Sequence, residues 1–210
     1  ILHESGHAVH ALAVREEPLL EYRTPPVEFA EVASMGMELL TLPHLDAIYT
    51  DADDRRRAYR ERLEDVVRIL PWVATVDAFQ HWIYAHPEHT PEERRQAWVR
   101  TYRRFHRGVD WSGLEEPLGY LWHGQLHFFL VPFYYIEYGI AQVGALQIWL
   151  RSRDDDRDAV ARYRQALALG GSRSLPDLFQ AAGARFAFDH QTIAPLAATL
   201  AEELEKVPYA

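Results

Sequence analysis

The sequence reads LHESGHAVH at residues 2–10. Within this stretch His3 and His7 are four residues apart, so on an α-helix both imidazoles project from one face and can reach one metal ion. Glu4 lies about 100° around the helix axis from His3, where it can hold a water molecule without ligating the metal. The pattern His-Glu-x-x-His is typical of zinc hydrolases. We therefore predict that His3 and His7 bind Zn²⁺ and that Glu4 is a general base.

Apolar side chains surround the motif and predict that its helix is largely buried. They are Leu2, Ala8, Val9, Leu12 and Ala13. Because buried imidazole and carboxylate groups need partners, this context favours a ligand role over a chance match of a short motif on an exposed helix.

A catalytic zinc site takes a third protein ligand, which the motif itself does not supply. The longer motif HExxHxxGxxH is excluded, because His10 stands at its glycine position and Ala13 at its last histidine position. An acidic residue on a second helix remains, and the sequence predicts such a helix over 27–41, after Pro25 and Pro26. The carboxylates on it are those of Glu28, Glu31 and Glu38.

Spacing alone does not decide between these carboxylates. Glu31 and Glu38 are seven residues apart and share a helical face. Glu28 falls in the first turn, where a favourable interaction with the helix dipole explains its presence. Either Glu31 or Glu38 could be the ligand, with the other accepting a hydrogen bond from a ligand histidine.

The two segments together resemble the active-site signature of the thimet oligopeptidase and oligoendopeptidase F family of zinc metallopeptidases. The matching stretches are residues 3–10, residues 29–34 and Glu38. In that family the first glutamate of an FxExxS-like segment is the third zinc ligand, so the resemblance assigns the metal to His3, His7 and Glu31. It also implies that His10 lies just behind the ligands, since the family has a histidine three residues after the second ligand.

A later segment strengthens the resemblance. Residues 122–142 read WHGQLHFFLVPFYYIEYGIAQ and are similar to a family segment in which a histidine and closely spaced tyrosines face the metal across a cleft. With a one-residue gap, His127, Tyr135 and Tyr138 match those residues, and the resemblance implies that they stabilise the oxyanion and orient the substrate. His123 is the alternative histidine if the gap falls elsewhere. A purely structural role in an aromatic core is the alternative for the two tyrosines.

Composition limits the function classes. The 210 residues are 48% hydrophobic and 25% charged, which is typical of a globular domain, and they include no cysteine that could form a disulfide or a thiolate metal site. The net charge of −9 offers no basic surface for nucleic acid. Glu137 and Gln142 interrupt the most apolar stretch, so no membrane span is expected. We expect a cytoplasmic protein.

Periodicity predicts an all-α, multi-helix, zincin-like catalytic domain in which the HExxH helix packs against a second, ligand-bearing helix. Strands have little room, and a loop is expected over 108–119. The predicted helices cover residues 1–15, 27–41, 55–84, 90–105, 132–151, 154–169, 174–183 and 189–207.

The chain starts at Ile1, two residues before the first predicted ligand, and a ligand in a frayed first turn would be poorly held. We therefore expect residues 1–210 to be the C-terminal part of a metallopeptidase catalytic domain, a fragment missing an N-terminal helical region. In the resembled family such a region forms the other wall of a deep cleft.

The resemblance implies a zinc-dependent endopeptidase that hydrolyses internal bonds of oligopeptides through a zinc-activated water, with Glu4 as the base. Two alternatives remain at this point. One is a metal-binding helical domain or fragment without catalytic activity of its own. The other is a helical interaction module in which the histidines are incidental.

Overall fold

Helices make up all the regular structure of residues 1–208, the part of the chain that the computed structural model describes. The fold is 75% helical, and no strand occurs within the described residues. The predicted all-α class is confirmed. Among these residues the α-helices are α1 (Leu2–Ala13), α2 (Val27–Leu40), α3 (Ala52–Ala85), α4 (Pro91–Phe105), α5 (Glu115–Tyr120), α6 (His127–Leu130), α7 (Ile136–Asp154), α8 (Asp156–Ala168), α9 (Leu175–Ala181) and α10 (His190–Lys206).

The packing divides the chain into two compact units. The first contains Ile1–Val67 and the chain from Ile140 onward, and the second contains Arg68–Gly139. Helices α3 and α7 contribute residues to both units. No helix within residues 1–208 combines the length and the apolar character that crossing a bilayer requires.

The first unit is organised around the packing of α1 against α2. Helix α2 buries Phe29, Val32 and Leu39 almost completely, and helices α8 and α9 pack against it. The hydroxyl of Tyr163 on α8 donates a hydrogen bond to the backbone oxygen of Ala33, at 2.5 Å. Helix α2 is therefore the centre of this unit, with the motif helix on its surface.

The second unit has an aromatic core. Phe79 on α3 contacts Trp98 on α4, with ring centroids 5.1 Å apart, and Trp122, at 5.6 Å. All three side chains are buried, and the indole nitrogen of Trp98 donates to the backbone oxygen of Leu118 at 2.8 Å. These contacts hold α3, α4 and the segment after α5 together.

Helix α1 is less buried than the sequence predicts. Only Gly6 and His10 are buried within it, and Leu12 is 62% exposed. The prediction of a largely buried helix is wrong, because only the side of α1 that faces α2 and α8 is covered, and Ala8, Ala11 and Leu12 are exposed.

Helix boundaries also differ from the predictions, most clearly at α5 and α7. Helix α5 begins at Glu115, inside the predicted loop, with Glu115 and Glu116 in its first turn, where they suit the helix dipole. Helix α7 begins at Ile136 and not at Pro132. The reason is Phe133, whose φ of 62° lies in the left-handed region and cannot continue a right-handed helix.

Candidate active site

Three predicted ligands converge in the first unit. His3 Nε2 lies 3.4 Å from Glu31 Oε2, and His7 Nε2 lies 3.9 Å from Glu31 Oε1. The two imidazole rings are 5.1 Å apart at nearly right angles. Within residues 1–208, these side chains form the one group of three that could hold a metal ion, with one donor atom from each lying within 4.8 Å of the others.

The donor set suits zinc. Two imidazole nitrogens and one carboxylate oxygen are a common ligand set of catalytic zinc sites, in which the fourth position is left for water or substrate. Tetrahedral bonds of about 2.0–2.1 Å place ligand atoms about 3.4 Å apart. The two measured N···O separations, 3.4 and 3.9 Å, are close to that spacing. Small side-chain movements would therefore complete the coordination.

Gly6 brings the two ligand helices together. A Cβ atom built on Gly6 would lie 2.5 Å from both the backbone oxygen of Ala33 and the Cα of Ser34. The motif helix therefore packs directly against the backbone of α2, which carries Glu31. Gly6 was not predicted to have a role, although a glycine inside a helical pattern can signal close packing.

Two further contacts orient the acidic side chains on α2. Ser34 Oγ donates to Glu31 Oε2 at 3.0 Å. Arg62 Nη1 on α3 pairs with Glu38 Oε1 at 2.6 Å, an interaction that the sequence analysis missed because the two residues are distant in the chain. Both contacts restrict where the carboxylates can point.

His3 lies between the two carboxylates. Its Nε2 faces Glu31, whereas its Nδ1 is 3.8 Å from Glu38 Oε1, too far for a hydrogen bond. A histidine that ligates through Nε2 usually directs its other nitrogen at a carboxylate or carbonyl, and His3 has this orientation. Glu28, the third carboxylate of α2, is in the first turn of the helix.

Glu4 follows His3 in the first turn of α1 and is exposed to solvent. It is not one of the three converging side chains. An exposed carboxylate next to a ligand is accessible to water, as a general base must be.

His10 is buried on the face of α1 that packs against α2. Its ring contacts that of Phe29, with centroids 6.2 Å apart. Burial lowers the pKa of His10 to about 4; the nearby His7 contributes to this shift, and a hydrogen bond with the backbone of Leu167 opposes it. His10 is therefore a neutral packing group at physiological pH.

In the second unit His127, Tyr135 and Tyr138 form one cluster. The His127 ring is 4.8 Å from that of Tyr135 and 5.8 Å from that of Tyr138, and the two tyrosine rings are 5.2 Å apart. His123 is exposed and packs instead against Trp122, at 4.1 Å. His127 is thus the histidine that shares a cluster with the two tyrosines.

The two tyrosines do not share one helix, because Tyr135 precedes the first residue of α7. Gln80 holds the turn before it: Gln80 Oε1 accepts a hydrogen bond from the backbone nitrogen of Phe133 at 3.0 Å. Burial raises the pKa of Tyr135. Its hydroxyl therefore stays protonated at neutral pH and can donate a hydrogen bond.

Comparison with known proteins identifies the family. The family model "Peptidase family M3" matches residues 1–197, which is nearly the whole chain. The chain belongs to peptidase family M3. The resemblance inferred from the two sequence segments is confirmed at the level of the family.

Individual relatives of this M3 chain agree with the assignment. It is 23% identical over 175 residues to an oligoendopeptidase F homologue of Borreliella burgdorferi, a match that covers 82% of this chain and 30% of the relative. Among solved structures, PZ peptidase A with an inhibitor has 32% identity and a TM-score of 0.90, covering 98% of this chain and 36% of that one. A Bacillus anthracis protein provisionally named oligoendopeptidase F has 31% identity and a TM-score of 0.78. That match covers 98% of this chain and 34% of the B. anthracis chain.

This M3 chain spans about a third of the length of the relatives that it matches. The similarity extends over nearly all of its own residues, so the all-helical fold is that of the corresponding third of those proteins.

Proposed function

We propose that this chain carries the catalytic residues of a zinc-dependent endopeptidase that cleaves internal bonds of oligopeptides. The observation that carries the proposal is the convergence of His3, His7 and Glu31 on two packed helices. Membership of peptidase family M3 supports the peptidase reaction.

His3, His7 and Glu31 would hold one Zn²⁺ ion. When bound, zinc supplies a Lewis acid that acidifies water and polarises a peptide carbonyl group. The surroundings favour this role, since Ser34 restrains Glu31 and the Arg62–Glu38 pair lies beside His3.

Glu4 is the general base in this proposal. Its carboxylate takes a proton from the attacking water and then passes that proton to the nitrogen of the leaving amine. Its exposure on α1, one residue after His3, supports the assignment.

His127, Tyr135 and Tyr138 are proposed to donate hydrogen bonds to the carbonyl oxygen as it gains negative charge. Their clustering in the second unit and the protonated state of Tyr135 support this role. One well-placed donor of this kind stabilises a transition state by about 2.7–4 kcal/mol.

Further parts of the proposal concern the whole protein. We propose that substrate binding needs additional polypeptide N-terminal to this region, forming the other wall of a cleft, because the relatives are about three times as long. We also propose a cytoplasmic location and no nucleic-acid or membrane partner, in agreement with the acidic composition.

The decisive experiment is Glu4→Gln in the longest natural form of the protein. Removal of a general base should lower kcat by about 10²–10⁴-fold while the bound zinc content is unchanged. Glu16→Gln is the matched control, because Glu16 is exposed beyond the end of α1, and it should retain full activity. Unchanged turnover in Glu4→Gln with zinc still bound would refute the base assignment.

The second candidate function is metal binding without catalysis by this region alone. The observation that favours it is the chain's coverage of only a third of its relatives. Zinc content and cleavage of a peptide should be compared for residues 1–210 and for the longer protein. Equal turnover would contradict a need for additional polypeptide, and absence of bound zinc from both would favour an interaction module.

A further inference from the structure

We propose that Gln125, itself oriented by Trp72, is a positioning residue that holds the His127 imidazole in its neutral form with the proton on Nε2. The catalytic meaning of this arrangement rests on the proposed function, in which His127 is a hydrogen-bond donor. The hydrogen bonds themselves lie within the second unit and can be tested without any assay of activity.

The first step is the orientation of the Gln125 amide. Trp72 Nε1 lies 3.1 Å from Gln125 Oε1. An indole N–H can only donate a hydrogen bond, so the atom that faces it must be the amide oxygen. The reversed amide would place two donors against each other, and the amide nitrogen must therefore point away from Trp72.

The second step is the protonation of the ring. Gln125 Nε2 lies 2.5 Å from His127 Nδ1. An amide nitrogen can only donate, so Nδ1 must accept with its lone pair, and the proton of a neutral imidazole is then on Nε2. A doubly protonated ring would turn an Nδ1–H against the amide N–H, so the same contact disfavours the charged form.

The surroundings of His127 also favour the neutral imidazole. Its ring is faced by those of Tyr134, Tyr135 and Tyr138, and burial lowers the pKa of His127. The neutral ring is therefore favoured both by its hydrogen bond to Gln125 and by its environment.

Packing against other aromatic rings fixes the orientation of the Trp72 indole. Its ring packs against that of Trp98, with centroids 5.8 Å apart, and against that of His106, at 6.1 Å. A hydrogen bond with Trp72 also opposes the rise in the pKa of Tyr135. One indole thus links the aromatic core to two of the proposed substrate-facing groups, His127 and Tyr135.

The Nε2–H tautomer determines which chemical role His127 can have. A neutral ring that presents Nε2–H can donate a hydrogen bond to a carbonyl oxygen, and it cannot act as a base through that nitrogen. Gln125 and Trp72 touch neither substrate nor metal in this account; they act through His127.

The test is the tautomer of His127 in the whole 210-residue chain, read from long-range ¹H–¹⁵N NMR spectra of protein with ¹⁵N-labelled imidazoles. The His127→Gln variant identifies the signal. We expect the Nε2–H form at neutral pH. In Gln125→Glu one carboxylate oxygen can still accept from Trp72, but the other can only accept from the ring, so Nδ1 should become protonated and the titration of His127 should move to higher pH.

Two further variants complete the design. Trp72→Phe keeps an aromatic ring but removes the N–H, and we expect it to give a mixture of His127 tautomers. Gln191→Glu makes the same chemical change as Gln125→Glu at an exposed position in the first turn of α10 and should leave the His127 signal unchanged. Unchanged signals from the other histidines would show that each variant is folded.

An Nδ1–H tautomer in the unaltered chain would overturn the proposal, as would a His127 signal that does not respond to Gln125→Glu. In the longer protein, Gln125→Glu should reduce kcat at least tenfold with a smaller change in KM. If the unaltered longer protein cleaves no peptide, the proposed function fails, while the tautomer measurement still decides the present proposal.

Discussion

At the scale of single residues, the burial of His10 makes the free energy of unfolding depend on pH. The folded chain lowers its pKa from an ordinary 6.5 to about 4. Between pH 6.5 and about 4, His10 is therefore protonated in the unfolded chain but neutral in the folded chain. As the pH is lowered through this range, the free energy of unfolding decreases. The loss is about 3 kcal/mol over this range, and it adds nothing above pH 6.5.

This prediction can be checked by urea unfolding between pH 7 and pH 4 with a chelator present. His10→Gln should flatten the pH dependence of the free energy of unfolding, whatever its effect on stability at pH 7. His44→Gln is the control, because His44 is exposed, and it should keep the steep profile. An equally steep profile in His10→Gln would show that other groups cause the pH dependence.

The predictability of the site also differs from residue to residue. His3 and His7 could be paired from helical spacing alone, whereas the choice of Glu31 over Glu38 needed the resemblance to a family. The contacts of Arg62 with Glu38 and of Gln125 with Trp72 could not be predicted. They join residues that are remote in sequence, and no local pattern signals such a pair.

At the scale of elements, the approach of α1 to α2 depends on Gly6. An alanine would be favoured by helix propensity by about 1 kcal/mol, but its Cβ would meet the backbone of Ala33 and Ser34 at 2.5 Å. Since backbone cannot rotate away, we expect Gly6→Ala to lower the free energy of unfolding by about 1–3 kcal/mol and to weaken zinc binding.

Urea unfolding and zinc titration would measure both effects. Gly124→Ala is the matched control, because a Cβ at Gly124 meets no atom within 4 Å. It should change neither property appreciably. A Gly6→Ala chain as stable as the unaltered one would mean that the two helices can separate at little cost.

Helix boundaries were predictable where a capping signal is local. Thr90 and Asp189, the first residues of two predicted helices, are N-caps in the structure and accept hydrogen bonds from the backbone nitrogens of Glu93 and Thr192. The start of α7 was not predictable, since Pro132 is a normal opening signal. There a tertiary hydrogen bond from the Phe133 backbone to Gln80 fixes a turn that the local sequence does not indicate.

At the scale of the whole molecule, zinc should raise the stability of the chain. An ion that binds only the folded state adds about 2.7 kcal/mol at a free concentration 100 times its Kd. For a chain of this size each kcal/mol raises Tm by roughly 2–4 °C. We therefore expect a zinc-dependent rise in Tm that a chelator reverses.

The rise in Tm should be lost in His7→Ala and retained in His190→Ala, a control at an exposed histidine outside the site. Differential scanning calorimetry at several zinc concentrations would measure it. Equal responses of the two variants would place the stabilising ion elsewhere on this histidine-rich chain.

The all-α class was predictable because helical periodicity persists along the chain. The division into two units was not, since it falls at residues 67–68, inside α3, and at residues 139–140, inside α7. Sequence analysis looks for such divisions in flexible linkers. Here each division falls inside a continuous helix and not in a linker, although the composition does differ: five of the six tryptophans lie in residues 68–139.

The absence of a side chain at Gly6 also affects how well the site selects between metal ions. Because the ligand helices already touch, a larger residue at this position can only widen the gap between their donors. Zinc accepts bonds of about 2.0–2.2 Å, whereas calcium takes oxygen atoms at about 2.3–2.6 Å. In a protein engineered from this scaffold, selectivity against larger cations would therefore depend on a residue that has no side chain.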